Sequence, residues 1–174
     1  LPPVCTRTWF HTGAWTQQRT LTAAYAAEYR GADPAAPHLP EPSFPTGLSP
    51  RELREAHRAL KGKVLRQEVY AEDDAGTLAR LYTVTEHGYA LVQLQPSAGD
   101  RPASFRVDAT ESRTASYDLD LAAGTPDPRV AHTLSWGFDS YGIATHTAAV
   151  SYPRRGSGHD PEQMALAVVV TETE

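Results

Sequence analysis

The sequence predicts a mainly β fold, an antiparallel meander of strands with one or two short helices. Three observations support this prediction. After residue 63, most of the chain consists of β-branched and aromatic runs that alternate with polar residues at a period of two. Short turns that contain glycine, aspartate or proline separate these runs. Only one stretch, residues 49–62, carries a complete set of helix signals.

The chain up to residue 50 combines a strand, a weak helix signal and a long connector. Residues 4–10 alternate in a way that predicts a strand with an aromatic residue on one face. Residues 20–30 are rich in alanine and tyrosine, and this weak helix signal stops at Gly31. Prolines are spread over residues 31–50, where they prevent pairing as a central strand. We therefore expect a proline-rich connector that runs extended over a surface.

Residues 49–62 predict a short amphipathic helix. Ser49 fits the N-cap, and Glu52 three residues later completes a capping box. Gly62 ends the helix, because glycine favours the left-handed conformation found there. Arg51, Glu55 and Arg58 can stay in water. The apolar face comprises Leu53, Ala56, His57 and Leu60, which are spaced as one side of a helix. We expect this helix to lie on, or at the edge of, an antiparallel sheet that begins directly after it.

The strands expected after the helix follow one another closely along the chain. A turn at His87-Gly88 separates the second strand of this series from the third. The expected strands are residues 64–71, 80–87, 89–95, 103–108, 113–121, 130–138, 143–152 and 164–171. Residues 1–174 thus form a single β-rich segment. Because the chain ends in a strand-like run, we expect the segment to be cut from a larger protein.

Composition excludes several classes of partner. The net charge is -5 and the 16 basic residues are scattered, so the sequence gives no electrostatic footprint for nucleic acid. The longest apolar run, residues 165–170, is far short of the roughly 20 residues that a spanning helix needs. Cys5 is the only cysteine, which rules out an intrachain disulfide and every cysteine-paired zinc site. We expect neither nucleic-acid binding nor direct insertion into a membrane.

The candidate catalytic motifs are weak. The seven histidines show no H-x-x-x-H or H-x-H spacing, so no metal site is predicted. Glu86 and His87 are neighbours that point to opposite faces of a strand, which favours a polar strand end over an acid/base pair. Asp118 and Asp120 match a D-x-D pattern, but an exposed strand face gives the same spacing. We predict that the chain is not an enzyme and that it has no catalytic residue and no cofactor.

Two alternatives from other classes remain open. The segment Glu172-Thr173-Glu174 is similar to the E-x-E motif of arginine ADP-ribosyltransferases, which would require both carboxylates in a cleft with an arginine. Trp9, Trp15 and Tyr25 can form a sugar-stacking platform, because aromatic faces suit the apolar faces of pyranose rings. That second alternative is a carbohydrate-binding β module of a secreted bacterial protein. Burial in a core is the commoner use of such residues.

Ordered blocks along nearly the whole chain carry a family resemblance. The blocks are residues 5–13, 49–62, 65–70, 82–87 and 127–155. In this order they resemble the middle-to-C-terminal region of the B component of bacterial Tc (toxin complex) insecticidal toxins, a region also found in plasmid-virulence proteins of the SpvB type. A series of ordered blocks is more specific than any of the short motifs.

The resemblance implies a non-enzymatic structural role. In the family, the B component and a C component with Rhs (YD) repeats form a hollow β-sheet shell that encloses the toxic C-terminal segment of the C component. The A component is a channel that docks onto another part of the B component and delivers the enclosed toxin. The resemblance thus implies wall material of a toxin complex that is assembled in the bacterial cytoplasm and then secreted. It provides no catalytic residue.

Overall fold

The computed structural model describes residues 3–15, 20–29, 38–72, 78–117, 127–156 and 158–173. Within these ranges, seven strands form one sheet whose spatial order is the chain order, and every neighbouring pair is antiparallel. The strands are β1 (Val4–Phe10), β2 (Val64–Glu72), β3 (Leu78–Gln95), β4 (Ser104–Ser116), β5 (Arg129–Phe138), β6 (Ala144–Ser151) and β7 (Ala167–Glu172). The helices are α1 (Leu21–Tyr25), α2 (Pro50–Ala59) and a 3-10 turn at Pro161–Met164. The predicted mainly β meander with short helices is confirmed.

The turn expected at His87-Gly88 is wrong. Residues 78–95 form one long strand, and Gly88 lies inside it, opposite Glu111, where the register with β4 shifts. A Cβ on Gly88 would lie 2.5 Å from Glu111 Cγ. Glycine at this position therefore allows β3 and β4 to approach each other closely beside a bulge.

The two strands expected at 103–108 and 113–121 are also one strand. β4 runs without a break from Ser104 to Ser116. Residues 118–121 of the second expected strand lie outside the described residues, as do Asp118 and Asp120 of the D-x-D pattern. Two strands were predicted here because residues 109–112 lack a strong alternation of apolar side chains.

Helix α2 begins at the predicted capping box. The Ser49 amide donates to Glu52 Oε2 at 3.0 Å, and the Glu52 amide donates to Ser49 Oγ at 3.3 Å. Glu52 also accepts from the Ser97 amide at 3.0 Å, and these backbone hydrogen bonds lower the pKa of its carboxyl to about 2. At the other end, Gly62 adopts a φ of +83°, which glycine tolerates better than other residues.

The apolar core lies between α2 and the central strands β3 and β4. Ala56 and Leu60 are almost completely buried on the sheet-facing side of the helix. The core cluster consists of Ala56, Leu60, Tyr89 and Leu91, with Phe44, Leu48, Ala59, Phe105 and Val107 packed against it. No helix within the described ranges has both the length and the apolar content needed to cross a membrane.

Charged residues of α2 hold the β3–β4 turn, although the sequence suggested that they stay in water. Arg51 donates from Nη1 to the Gly99 carbonyl at 2.7 Å. Glu55 accepts from the Ala103 amide at 2.7 Å. The helix thus contacts the sheet through its apolar face and through these charged side chains.

The backbone of the connector before α2 pairs with the sheet at Ser43. The Ser43 amide donates to the Tyr89 carbonyl at 2.9 Å, and the Leu91 amide donates to the Ser43 carbonyl at 2.8 Å. This parallel bridge occupies an edge of β3 beyond residues 78–86, which are the residues that pair with β2. Residues 31–37 of the expected connector lie outside the described residues.

Candidate functional site

One row of side chains crosses every strand of the described sheet. Residues that lie directly opposite each other in neighbouring strands share a face of the sheet. From β1 to β7 this row is Trp9, Arg66, Glu86, Arg113, His132, Val150 and Val168. Its central part carries charges of alternating sign, and its last two positions are apolar. The row therefore marks a charged region at the centre of the sheet and an apolar region at its end.

Glu86 is the centre of the charged region. Its side chain is 7% exposed and accepts from Arg66 Nη1 at 2.7 Å and from Arg113 Nη2 at 2.5 Å. His38 Nδ1, from the connector, lies 2.6 Å from the same carboxylate. Burial raises the pKa of the Glu86 carboxyl, but the His38 hydrogen bond and the two guanidinium charges outweigh it and lower the pKa below its ordinary value.

Arg66 links Glu86 to a second buried carboxylate. Its Nε donates to Glu68 Oε1 at 2.7 Å, and Glu68 also accepts from the Tyr70 hydroxyl. Glu68 and Tyr70 are completely buried. The Arg66 guanidinium also lies 4.6 Å from the centre of the Tyr29 ring, a cation–π contact. Each buried charge in this region therefore has an oppositely charged partner, as burial requires.

A second polar cluster joins the following strands. His132 is 9% exposed, and its Nε2 lies 3.0 Å from Glu111 Oε2 on β4. Its Nδ1 lies 3.1 Å from the hydroxyl of Tyr152, directly after β6. Polar contacts between side chains thus continue from β2 to the end of β6.

The sequence interpretation missed this arrangement. Glu86 was assigned to a polar strand end, and this is wrong because Glu86 is buried in the middle of β3. The available signal was the pattern Arg66-x-Glu68-x-Tyr70, which places two charges and a tyrosine on one side of a strand. The charged residues Glu86 and Arg113 on the next two strands were the second part of this signal, because each can pair with an opposite charge on a neighbouring strand.

The three residues of the sugar-stacking alternative lie on separate elements. Trp9 on β1 is 8% exposed, packs edge-on against Tyr29 with ring centres 5.1 Å apart, and donates from its indole N–H to Glu28. Trp15 lies next to α2, with the Arg54 guanidinium 5.6 Å from its ring centre. Tyr25 is the last residue of α1 and is half-buried. The sugar-stacking platform stays a prediction, and a platform containing Trp9 would need that residue to be uncovered.

The remaining candidates for chemistry are the glutamates near the end of the chain, the possible metal ligands and Cys5. Glu172 lies on β7 with its carboxylate 3.5 Å from His146 Nε2, while Glu174 lies outside the described residues. In the described part of the chain, no group of three or more histidine, cysteine, aspartate or glutamate residues is arranged to hold a metal ion. Cys5 on β1 is a free thiol.

The outer strand β7 is uncovered on both faces. All six of its residues are exposed. Val168 and Val170 share one face and Val169 lies on the other, and each is 52 to 64% exposed. One side of β7 pairs with β6, and the opposite side has no partner strand among the described residues. An apolar edge of this kind favours pairing with a further strand.

Comparisons with known proteins point to one family. Residues 55–172 match the family model described as the insecticide toxin TcdB middle/C-terminal region. A search of curated proteins gave no significant match. The crystal structure of TcdB2-TccC3-TEV is similar at 27% identity with a TM-score of 0.73, over 91% of this chain and 8% of that chain. The structure of the Photorhabdus luminescens Tc holotoxin pore is similar at 28% identity with a TM-score of 0.69, over 94% of this chain and 8% of that chain. The chain thus spans less than a tenth of the length of these structures.

Proposed function

The chain belongs to the family of the insecticide toxin TcdB middle/C-terminal region and is a segment of a Tc toxin B component, and we propose that it is a structural wall segment of a hollow shell. The B component forms this shell together with an Rhs-repeat C component. The shell encloses a cytotoxic polypeptide that is delivered through the A component. The segment takes part without catalysis and without a cofactor.

The observation that carries this proposal is the sheet itself. Seven described strands lie in chain order in one antiparallel sheet, and the outer strand β7 is apolar and exposed on both faces. A free-standing domain normally protects such an edge with charges, prolines or a covering element. A wall uses the same edge, because the next strand of the wall covers it.

The buried charges favour the same role by fixing the strand register. A shift of one residue between two strands moves every side chain to the opposite face. Such a shift in β3 would separate Glu86 from Arg66 and Arg113 and would leave buried charges unpaired. A broad sheet with many similar β-branched strands has numerous alternative registers, so the ion pairs specify one of them.

The similar structures suggest the partners. One is described as TcdB2-TccC3 and another as a Tc holotoxin pore, so relatives are found with a second component and in a complete toxin. By extension, the parent of this chain joins a C component and reaches the A component through its other parts. The complex then acts outside the bacterium, after assembly in the cytoplasm.

Protease protection of the enclosed polypeptide tests the proposal. The full parent protein is co-expressed with its Rhs-repeat partner, protease is added, and survival of the partner's C-terminal segment is followed. The segment should survive in the wild type and should be digested when residues 49–155 are deleted. A finer variant is Glu86→Lys, which places a third positive charge between Arg66 and Arg113. Its matched control is Asp100→Lys, in the exposed β3–β4 turn.

The expected result is digestion of the segment in Glu86→Lys and protection in Asp100→Lys. Faster hydrogen exchange in β2, β3 and β4 would show that the Glu86→Lys substitution has opened this part of the sheet. Full protection of the segment in a protein opened in this way would contradict the proposal. This part of the chain would then lie outside the enclosing wall.

A further inference from the structure

Asp127, two residues before β5, is held by a loop that follows β6. Its Oδ1 accepts from the Arg155 amide at 2.9 Å, and its Oδ2 accepts from the Gly156 amide at 2.8 Å. Arg154 Nε lies 3.4 Å from Oδ2, and His159 Nε2 lies 3.1 Å from the same atom. Two consecutive amides, a guanidinium and an imidazole thus surround one carboxylate.

The loop has the properties of an oxyanion site. Consecutive backbone amides that point at one group form an anion-binding concavity, and a guanidinium strengthens it. A Cβ on Gly156 would lie 3.1 Å from Asp127 Oδ2, so glycine permits the close approach of the carboxylate. Burial raises the pKa of the Asp127 carboxyl, but the loop amides and the Arg154 and His159 side chains lower it to about 2. The loop therefore strongly favours the anionic form.

The loop belongs to a segment that we call the strap, the described residues 152–156 and 158–166 between β6 and β7. The Tyr152 amide donates to the Val130 carbonyl at 3.1 Å, and the Arg154 amide donates to the Gln163 carbonyl at 2.7 Å. The strap borders an open groove of about 490 Å³. Residues on the two sides of this groove include Ser116, Val130 and Ala131 from the strands and Tyr152, Gln163 and Ala165 from the strap.

We infer that Arg154, Arg155, Gly156 and His159 form an oxyanion-binding site whose resident ligand is the Asp127 carboxylate. This single side chain latches the strap to the start of β5. The latch closes a connection of 27 to 32 residues in sequence and sets the position of the strap beside the groove. The site binds a carboxylate or another small oxyanion of the same size and charge when Asp127 is shortened.

Limited proteolysis with chemical rescue tests this inference. Trypsin cleaves after Arg154 and Arg155 only when the strap opens, so the rate of cleavage there reports on the latch. In the full parent protein, Asp127→Ala should accelerate this cleavage about tenfold or more, since hydrogen bonds to a charged group are lost. Formate should slow the cleavage again, because it supplies the carboxylate that alanine lacks. An equal concentration of chloride should not.

Three controls separate the loss of the latch from other causes of faster cleavage. Asp160→Asn removes an exposed carboxylate from the same strap and should leave cleavage unchanged. Asp127→Asn should accelerate cleavage without rescue, because its amide group fills the place that formate would take. Cleavage after the exposed Lys61 should stay constant, which separates strap opening from general unfolding. Where Asp127→Ala also accelerates cleavage after Lys61, Asp127→Asn provides the measurement of the latch.

Two results would overturn the inference. Cleavage of Asp127→Ala and Asp127→Asn after Arg154 and Arg155 at the wild-type rate would mean that Asp127 is not a latch. The loop would not be an oxyanion site if formate failed to slow the cleavage of Asp127→Ala. The same would hold if formate slowed the cleavage of Asp127→Ala and Asp127→Asn equally. Either result leaves the proposed wall function untouched, because that function rests on the sheet.

Discussion

Replacement of Glu86 with glutamine is expected to weaken the centre of the sheet. The substitution keeps the size of the side chain but removes the charge that pairs with Arg66 and Arg113. The Arg66 side chain is 5% exposed, so water cannot replace the ion pair that it loses. An amide can donate or accept in place of the carboxylate, but it cannot balance two neighbouring positive charges.

The size of the effect follows from what remains around each arginine. Removal of one partner of a buried ion pair typically costs about 3–5 kcal/mol. Here Arg66 keeps Glu68 at 2.7 Å, and the Arg113 side chain is 16% exposed and can be partly solvated. Both features reduce the cost, and we expect about 2–3 kcal/mol of lost local stability.

Hydrogen exchange of the full parent protein measures this loss. Because about 1.4 kcal/mol corresponds to a factor of ten, amides of β2 and β3 should exchange about 30- to 150-fold faster in Glu86→Gln. The matched control is Glu172→Gln on β7, whose side chain is 72% exposed, and it should exchange as the wild type does. Rates within twofold of the wild type in Glu86→Gln, or an equal acceleration in the control, would refute the reasoning.

Three further predictions concern the bulge, the helix cap and the latch. Gly88→Ala should push the Glu111 side chain aside and destabilise the β3–β4 pair by about 1–3 kcal/mol. Hydrogen exchange of the β3 and β4 amides should become faster. Unchanged exchange would contradict the close contact between Gly88 and Glu111. Ser49→Ala removes the hydroxyl that accepts from the Glu52 amide and should cost about 1 kcal/mol, measured by hydrogen exchange in α2, whereas Ser49→Thr should restore the cap. Asp127 has a pKa of about 2 in the folded chain against an ordinary 3.8, so its stabilising contribution is complete above about pH 4 and is lost as the pH falls towards 2. Hydrogen exchange of the strap amides, corrected for the pH dependence of the intrinsic exchange rate, should therefore become faster in the wild type as the pH falls from about 4 to 2. It should not become faster in Asp127→Asn.

Features with local causes could be predicted from the sequence. The capping box of Ser49 and Glu52 needs only three residues of separation, and it is present as predicted. The turn at Asp139–Gly142 is also local: Asp139 Oδ1 accepts from the Tyr141 and Ile143 amides. The alternation of strand residues depends on neighbours in sequence, so the mainly β meander was predictable as well.

Features that depend on strand register could not be predicted in the same way. Arg66, Glu86 and Arg113 are 20 and 27 residues apart, and only the pairing of three strands brings them together. Without the register, Glu86 was interpreted as part of a polar strand end. Gly88 was taken for a turn residue because a turn glycine and a bulge glycine look alike until the opposite strand is known. The Asp127 site depends on two loops, so no single stretch of sequence reveals it.

The order of the strands affects how the chain can fold during its synthesis. From β3 onwards, each strand pairs with the strand made immediately before it, so its partner is already present when it leaves the ribosome. β1 is the exception, because more than fifty residues separate it from β2. The nascent sheet therefore grows from one side, and its newest strand is always its uncovered edge. A ribosome that pauses between two strands would hold that edge open to neighbouring nascent chains. Rapid translation of β3 to β7 should shorten the time for which each new edge is uncovered and so reduce aggregation of the nascent chain.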